Sequence, residues 1–422
     1  MIMRKLLLLI CLMTIGLSAV DAQGYKELIK DNPAYAGANM MNYHYDAGVY
    51  TPAPKGFKPF YISHYGRHGS RYDTSDVNAE KVWPIMREAH RLGLLTPAGE
   101  AFCADLDAVL SEQDGMYGML TGLGAKEHRQ IAERMAANFP EVFSGAKGRR
   151  KVECLSSLSP RCIVSMTNFS LSLDRNTKGL DFNFVTGNRI YDIIAYQPQG
   201  TAPKKVAATK EEDVRRETMK PMEIIEYFFN DTGAALELTG DPYSFEQRLY
   251  LASCVGHLSD HGTCLLAHFP YEVLVRNFEV RNPRFYLSYG MSDEMSDYQI
   301  QISRKLLSDI VEKADAALKD DSQTAADLRF GHDTALLPLV GHLRLEGLDN
   351  WVAFDKVNEV FNSATQICMA SNLQMIFYRN KSGEVLVKLM YNEKETSIPS
   401  LNGFSGPYYK WEDLREYFVS LL

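Results

Sequence analysis

Two periods of hydrophobicity alternate along this chain. Short strand-like runs at residues 57–64 (FKPFYISH), 151–156 and 327–331 are separated by stretches in which apolar residues return every three or four positions. Helical spacing falls at 75–95 (Val82, Ile85, Met86, Ala89, Leu92), 100–110, and 124–138 with Thr121 as its N-cap. It recurs through Ile163, Met166, Phe169 and Leu173, at 300–318 (Leu307, Ile310, Val311, Ala314, Leu318), at 335–343 and at 410–422. Residues 373–379 and 384–391 flank Lys381-Ser382-Gly383 and predict a hairpin. Residues 24–56 carry Gly, Pro, Asn and Tyr without a period and predict an irregular arm. From 198 to 282 charged runs join long helical patterns at 219–229 and 245–267, the mark of a mostly helical insertion. The expected fold class is α/β: a three-layer α/β/α domain with a mostly parallel central sheet, formed by 23–197 and 283–422. A smaller α-helical domain is inserted at 198–282.

Residues 1–22 stand apart. Arg4 and Lys5 precede an apolar run from Leu6 to Leu17, and Val20-Asp21-Ala22 puts compact residues at −3 and −1, the pattern of a secretory signal cut after Ala22. The run is short for a membrane span and Asp21 follows closely, so no span is expected in the mature chain. Periplasm, cell surface and medium all fit an exported protein. The 422 residues include 45 basic and 53 acidic ones, a net −8, and losing the leader's two basic residues and one acidic residue leaves −9. That balance excludes a broad nucleic-acid-binding face but permits a small cationic pocket. Six cysteines remain after cleavage: Cys103, Cys154, Cys162, Cys254, Cys264 and Cys368. An even number permits disulfides in an exported chain, and Cys254 with Cys264, on either side of a glycine-containing break, is the first candidate.

Open α/β sheets bind ligands beyond the carboxyl ends of their strands. The first strand is followed by Arg67-His68-Gly69-Ser70-Arg71, the second by Arg161, and the third by His332-Asp333. Guanidinium forks donate paired hydrogen bonds to phosphate oxygens and keep their charge at any biological pH. His68 among them is placed to attack phosphorus through a ring nitrogen, and Gly69 lets the backbone approach a ligand. The arginines would balance charge on the equatorial oxygens at the transition state, and Asp333 is the nearest acid to protonate a leaving alkoxide. Asp is also favoured at helix N-caps, and the two roles are compatible.

These motifs resemble those of the histidine phosphatases, in the acid phosphatase/phytase branch. The resemblance rests on Arg67-His68-Gly69-Ser70-Arg71, on Ser159-Pro160-Arg161 with Ser165, on His332-Asp333-Thr334, and on Leu120-Thr121-Gly122-Leu123-Gly124 opening a helix. It spans about residues 57–345, in the family's order. It implies His68 as the phosphorylated nucleophile, Arg67, Arg71, Arg161 and His332 as phosphate ligands, and Asp333 as proton donor, with neither cofactor nor metal. It also implies a helical domain inserted between the second and third strands. Arg67 to Thr74 (RHGSRYDT) and the segment 283–290, with Tyr286, Tyr289 and Gly290, are similar to multiple inositol polyphosphate phosphatases. That group commonly has proline at the place of Asp73. His332-Asp333-Thr334 is instead the pattern of phytases and ordinary acid phosphatases, where the inositol polyphosphate group usually has His-Ala-Glu. The expected partner is a small phosphate monoester, phytate or another inositol polyphosphate ahead of sugar phosphates and nucleotides.

Two other classes compete. A zinc-dependent hydrolase would use Cys254, His257, His261, Cys264 and His268, with His257 and His261 one helical turn apart. A phosphate-binding protein without turnover would keep the same arginines. Asp105-Leu106-Asp107 is similar to the paired aspartates of another phosphotransfer class, but it patterns as a helix with exposed acids and no apolar strand before it.

Overall fold

The computed structural model describes residues 24–144, 150–198, 202–292, 294–319 and 321–422. The expected export signal lies outside them. Eight strands form one sheet: β1 (Lys58–Arg67), β2 (Arg150–Ser156), β3 (Leu180–Thr186), β4 (Thr324–Gly331), β5 (Asn372–Arg379), β6 (Val385–Tyr391), β7 (Lys394–Thr396) and β8 (Tyr408–Lys410). Their order is β3-β2-β4-β1-β5-β6-β7, with β8 also on β6. β3, β2, β4 and β1 are mutually parallel, while β5 runs antiparallel to β1 and forms the predicted hairpin with β6.

Strand alternation sends side chains to two cores, and this makes the three layers. Tyr61 and Tyr65 of β1 face one core, with helices Ser296–Ala317, Asp333–His342 and Trp411–Ser420. Ile62 faces the other, with Gly122–Asn138 and Pro160–Asn176. A third core is mostly helical. It joins the N-terminal segment, helices Ala79–Arg91 and Pro97–Gln113, and helices between Met222 and Tyr289 that lie in the stretch between β3 and β4.

Four expectations change. β3 was not foreseen, although Phe182 and Phe184 alternate along it and stack at 5.8 Å. Residues 24–56 are regular at their start: a helix covers Tyr25–Asp31 and a 3-10 run Pro33–Met40, where the Asn32 side chain accepts from the Ala34 amide. The helix expected over 245–267 is Pro242–Ser253 only. A side chain at Gly256 would come within 2.5 Å of the Thr263 carbonyl oxygen, and Gly262 turns at φ +74°, so the chain folds back instead of continuing. The Cys254–Cys264 bridge is not formed: all six described cysteines are free thiols, and the Cys254 thiol donates to the Tyr250 carbonyl. Among the described residues no helix is long and apolar enough to cross a membrane.

Under the carboxyl end of β1 lie two buried imidazoles, His64 and His128, beside Phe169 and Phe330. Burial pushes both down to about 3. Their folded values lie below the unfolded one, so the unfolded chain takes up more protons as pH falls below about 6.5. Stability is then fully present above that pH and is lost toward pH 3, by roughly 1.4 kcal/mol per pH unit for each histidine. His128→Leu is expected to flatten the fall in unfolding free energy between pH 6 and 4 by about that slope, measured by denaturant titration at each pH. An unchanged slope would show that His128 is not held neutral.

Candidate active site

Adjacency of β2, β4 and β1 brings the three sequence motifs to one rim. Ser156 pairs with Phe330 and Arg67 with Gly331, so the three strands end level. The ladder continues one step further: the His68 amide donates to the Gly331 carbonyl at 2.9 Å, and the Ser157 amide to that of Phe330 at 3.1 Å. Arg67, His68, Arg71, Arg161, His332 and Asp333 all line one cavity of about 560 Å³. The structure thus brings together every residue singled out from the sequence for the site.

The turn after β1 is held from below by a helix N-terminus. A side chain on Gly69 would meet the Gly124 carbonyl oxygen at 2.5 Å, and one on Gly124 would meet the Ser70 carbonyl oxygen at 2.2 Å. Only glycines allow two backbones to pass this close. Thr121 caps the Gly122–Asn138 helix and also donates, through amide and hydroxyl, to the Ser70 carbonyl at 3.0 and 3.1 Å. One turn along the helix, the buried Glu127 carboxylate accepts from the Ser70 amide and hydroxyl, both at 2.7 Å, and from the Tyr43 amide at 2.9 Å. Ser165 accepts from the Gly69 amide at 3.2 Å. The Gly69 and Ser70 amides and the Ser70 carbonyl and hydroxyl are therefore all occupied, which fixes the turn that carries the side chains on either side of Gly69.

His68 is 2% exposed, and its Nδ1 lies 2.9 Å from the Gly69 carbonyl. A carbonyl can only accept, so Nδ1 carries the proton and Nε2 keeps its lone pair. Burial, then the charges of Arg67, Arg161 and Arg71 with His332 nearby, holds the ring well below the ordinary imidazole value. His332 meets it edge-on at 5.6 Å between centroids and is itself lowered to about 4, by burial first and Arg161 next. Its Nε2 is 3.0 Å from the Ser157 hydroxyl, and its amide donates to the Tyr65 hydroxyl at 3.1 Å.

Asp333 opens the helix Asp333–His342, with His332 as the N-cap residue. Its Oδ2 accepts from Arg67 Nη2 at 2.8 Å and Asn39 Nδ2 at 2.9 Å, while Oδ1 accepts from the Thr334 amide at 2.9 Å. Burial pushes the carboxyl up, but Arg67, the Asn39 amide, His332 and Arg71 outweigh it and hold it below the ordinary carboxylate value. Asp333 is therefore ionised at neutral pH.

Helix Tyr271–Tyr289 adds what the sequence reading missed: Arg281, Arg284, Phe285 and Tyr289 line the same cavity. Arg284 is paired with Glu211 at 2.6 Å, whereas Arg161 and Arg281 have no carboxylate within ion-pair reach among the described residues. Five guanidiniums and one carboxylate, Asp333, thus line the cavity. The Nε groups of Arg67, Arg71, Arg161 and Arg281 are all buried without a partner. Such orphans occur elsewhere, as at Arg150 and Arg379, so their convergence on one cavity is what signifies. Burial pushes Arg71 down to about 10, which leaves it charged at neutral and acid pH. The spacing Arg281-x-x-Arg284 on one helix face was the available signal, but it carried no motif. Asn39 had no signal either.

The alternative zinc ligands do not converge. His257 and His261 sit in a 3-10 turn and the loop after it, and His268 is paired with Asp105 at 2.8 Å. Among the described residues no three His, Cys, Asp or Glu side chains are grouped as metal ligands.

Solved structures that share this architecture include phosphatases. They include the multiple inositol polyphosphate phosphatase of Bifidobacterium longum in complex with inositol hexasulfate, at 19% identity and TM-score 0.73, covering 91% of this chain and 97% of that one. The phytase from D. castellii is similar at 13% identity and TM-score 0.69, over 92% and 85% of the two chains. The Hafnia alvei phytase in complex with tartrate is similar at 12% identity and TM-score 0.52, over 88% and 98%. Identities this low establish a shared fold: an α/β domain with helical additions, as in inositol polyphosphate phosphatases and phytases. No sequence-family profile matches the chain, and no curated protein sequence does.

The two-glycine contact makes a sharp prediction. Gly124→Ala must push backbone off backbone and is expected to cost about 3 kcal/mol, the upper end of overpacking penalties. Gly48→Ala, whose added methyl meets nothing within 4 Å, is expected to change stability by less than about 0.5 kcal/mol. Urea unfolding of both variants checks the contrast, and equal midpoints would remove the steric argument.

Proposed function

We propose that this protein is an exported phosphomonoester hydrolase that acts on inositol polyphosphates such as phytate through a phosphohistidine at His68. One observation carries the reading: a neutral imidazole with a free Nε2 stands inside a cavity lined by five guanidiniums and a single carboxylate. That is a site for a tetrahedral anion beside a nucleophile.

The residues divide the reaction as follows. Arg67, Arg71, Arg161 and His332 hold the phosphoryl oxygens. His68 Nε2 forms a bond to phosphorus as the bond to the ester oxygen breaks, and the leaving alkoxide takes a proton from Asp333. Water then gives its proton to the Asp333 carboxylate and its oxygen to phosphorus, the N–P bond breaks, and inorganic phosphate leaves with His68 restored. Asp333 must be protonated for the first half. A phosphate dianion against Arg67 and Arg71 cancels the field that keeps the carboxylate ionised, so substrate itself raises the acid's affinity for a proton.

Preference for several phosphates is supported by Arg281 and Arg284, which supply charge beyond what one phosphoryl group needs, and by the similarity of RHGSRY to inositol polyphosphate phosphatases. The Asp333-Thr334 pattern favours a second reading, a general acid phosphatase on sugar phosphates or nucleotides. Export rests on the leader-like pattern of residues 1–22.

Purified protein in excess EDTA is expected to release phosphate from p-nitrophenyl phosphate and from phytate between pH 4 and 7. Rapid quenching with labelled substrate should trap an acid-labile, base-stable phosphoenzyme that is absent in His68→Ala. Label on His68→Ala would refute the nucleophile. Loss of turnover on chelation would favour a metal enzyme, and binding without turnover a phosphate-binding protein. Arg281→Ala is expected to raise KM for phytate roughly 10- to 100-fold, the worth of a charged hydrogen bond, and KM for p-nitrophenyl phosphate less than about threefold. Equal effects on both substrates would favour the general acid phosphatase.

A further inference from the structure

We infer that Asn39, on the N-terminal 3-10 run, is a positioning residue that sets when Asp333 carries its proton, so that the segment Pro33–Met40 forms part of the catalytic site. The inference rests on the phosphohydrolase reading and adds a residue to it.

Three observations converge on Asn39. Its side-chain amide donates to Asp333 Oδ2 at 2.9 Å, on the same oxygen that takes Arg67 Nη2. Its backbone carbonyl accepts from Arg67 Nη1 at 2.6 Å, so one residue holds both members of the ion pair. Its Oδ1 is buried in a residue only 3% exposed, an acceptor that no group among the described residues satisfies.

The chain is bent to achieve this. Ala38, fully buried, stands at φ 55° and ψ −130°, a conformation that costs an L-residue and that local sequence does not favour. The strain is held by contacts on both sides. The Tyr250 hydroxyl donates to the Ala36 carbonyl at 2.6 Å, and the Met369 amide donates to the Met41 carbonyl at 2.9 Å. A segment clamped in a strained conformation to direct one amide at a carboxylate is explained by what that amide does there.

The groups around Asp333 come from every neighbouring element. Arg67, His68, Arg71 and Tyr65 belong to β1 and its turn, and His332 precedes Asp333. Arg161 and Cys162 lie on helix Pro160–Asn176, and Tyr289, Arg281 and Arg284 on helix Tyr271–Tyr289. The cations are charged throughout the working range and bind the substrate dianion, which cancels much of their effect on the acid. Asn39 is uncharged, so its hydrogen bond persists in the complex and continues to favour the ionised form. Donation to Oδ2 also leaves Oδ1, which accepts only the Thr334 amide, as the oxygen to carry the transferable proton.

A general acid must be protonated in the complex, so kcat falls as pH rises through its pKa. Removing a donor to the ionised form raises that pKa. Asn39→Ala is expected to move the basic limb of the kcat profile for β-glycerophosphate, an alkoxide leaving group, upward by roughly 0.5–1 pH unit. Asn39→Asp, nearly isosteric, places a second carboxyl beside Asp333 and should move it further. In an Asp333→Asn background Asn39→Ala should leave the profile unchanged. Purely structural loss would lower kcat at all pH values without moving the limb. An unmoved limb in both Asn39→Ala and Asn39→Asp would overturn the inference while wild type still turned over and formed the phosphoenzyme. Failure of wild type to do either would overturn the functional reading instead.

Discussion

Positive charge in excess of its local carboxylates is the condition on which this site depends: Arg67, Arg71 and Arg284 have carboxylate partners, whereas Arg161 and Arg281 have none within ion-pair reach among the described residues. Arg67, Arg71, Arg161, Arg281 and Arg284 line a cavity with one carboxylate, Asp333, and several of their N–H groups end unpaired in the interior. Like charges this close repel, and burial strengthens the repulsion. The cost has two visible consequences. Burial, reinforced by these charges, keeps His68 and His332 neutral, which preserves a nucleophilic lone pair, and the same charges keep Asp333 ionised as a counterion to Arg67. A phosphate dianion relieves the repulsion and thereby changes the proton affinity of every group it touches. Substrate binding and acid catalysis are thus linked through one field.

Holding such a site requires a scaffold that does not relax. Level strand ends in the parallel set fix the spacing of the three motifs, and the hydrogen bond from His68 to Gly331 extends that regularity into the turn. Below, Gly69 and Gly124 bring backbone against backbone while Glu127 takes up the amides that remain. Above, the helical core joins the N-terminal segment to helix Tyr271–Tyr289, which places Asn39 and Arg281 on walls made by chain segments far from the nucleophile in sequence. The acidic net charge of −8 is compatible with this arrangement, because the field in one pocket is set by its own lining and not by the total charge.

What could be read from the sequence follows from where information is local. Arg67, His68, Arg71, Arg161, His332 and Asp333 all lie at the carboxyl end of a strand or within five residues after it, so a strand pattern and the rule about carboxyl ends located them together. Thr121 was legible as a cap because its side chain acts three residues away. Asn39, Arg281 and Arg284 were not, since their role comes from tertiary packing against distant elements. β4 ends in the core although it carries Asp327 and Arg329, whose hydrogen-bond partners Tyr61, Ser63 and Asp309 lie on neighbouring elements and could not be paired from sequence. The helix expected over 245–267 shows the opposite failure: periodicity continued past Ser253, but Gly256 and Gly262 bent the chain. With it went the alignment of His257 and His261 on which the zinc reading depended.

Proton uptake on anion binding tests the central claim most directly. Inositol hexasulfate carries no titratable proton between pH 4 and 7, so any proton exchanged on its binding belongs to the protein. Calorimetric titration at pH 5 in buffers of different ionisation enthalpy should give binding with net uptake of protons by Asp333 and His332, and less uptake in Asp333→Asn. Binding with no proton uptake would mean that the excess of cations does not hold these groups in the states assigned to them, and the account would fail at its first step.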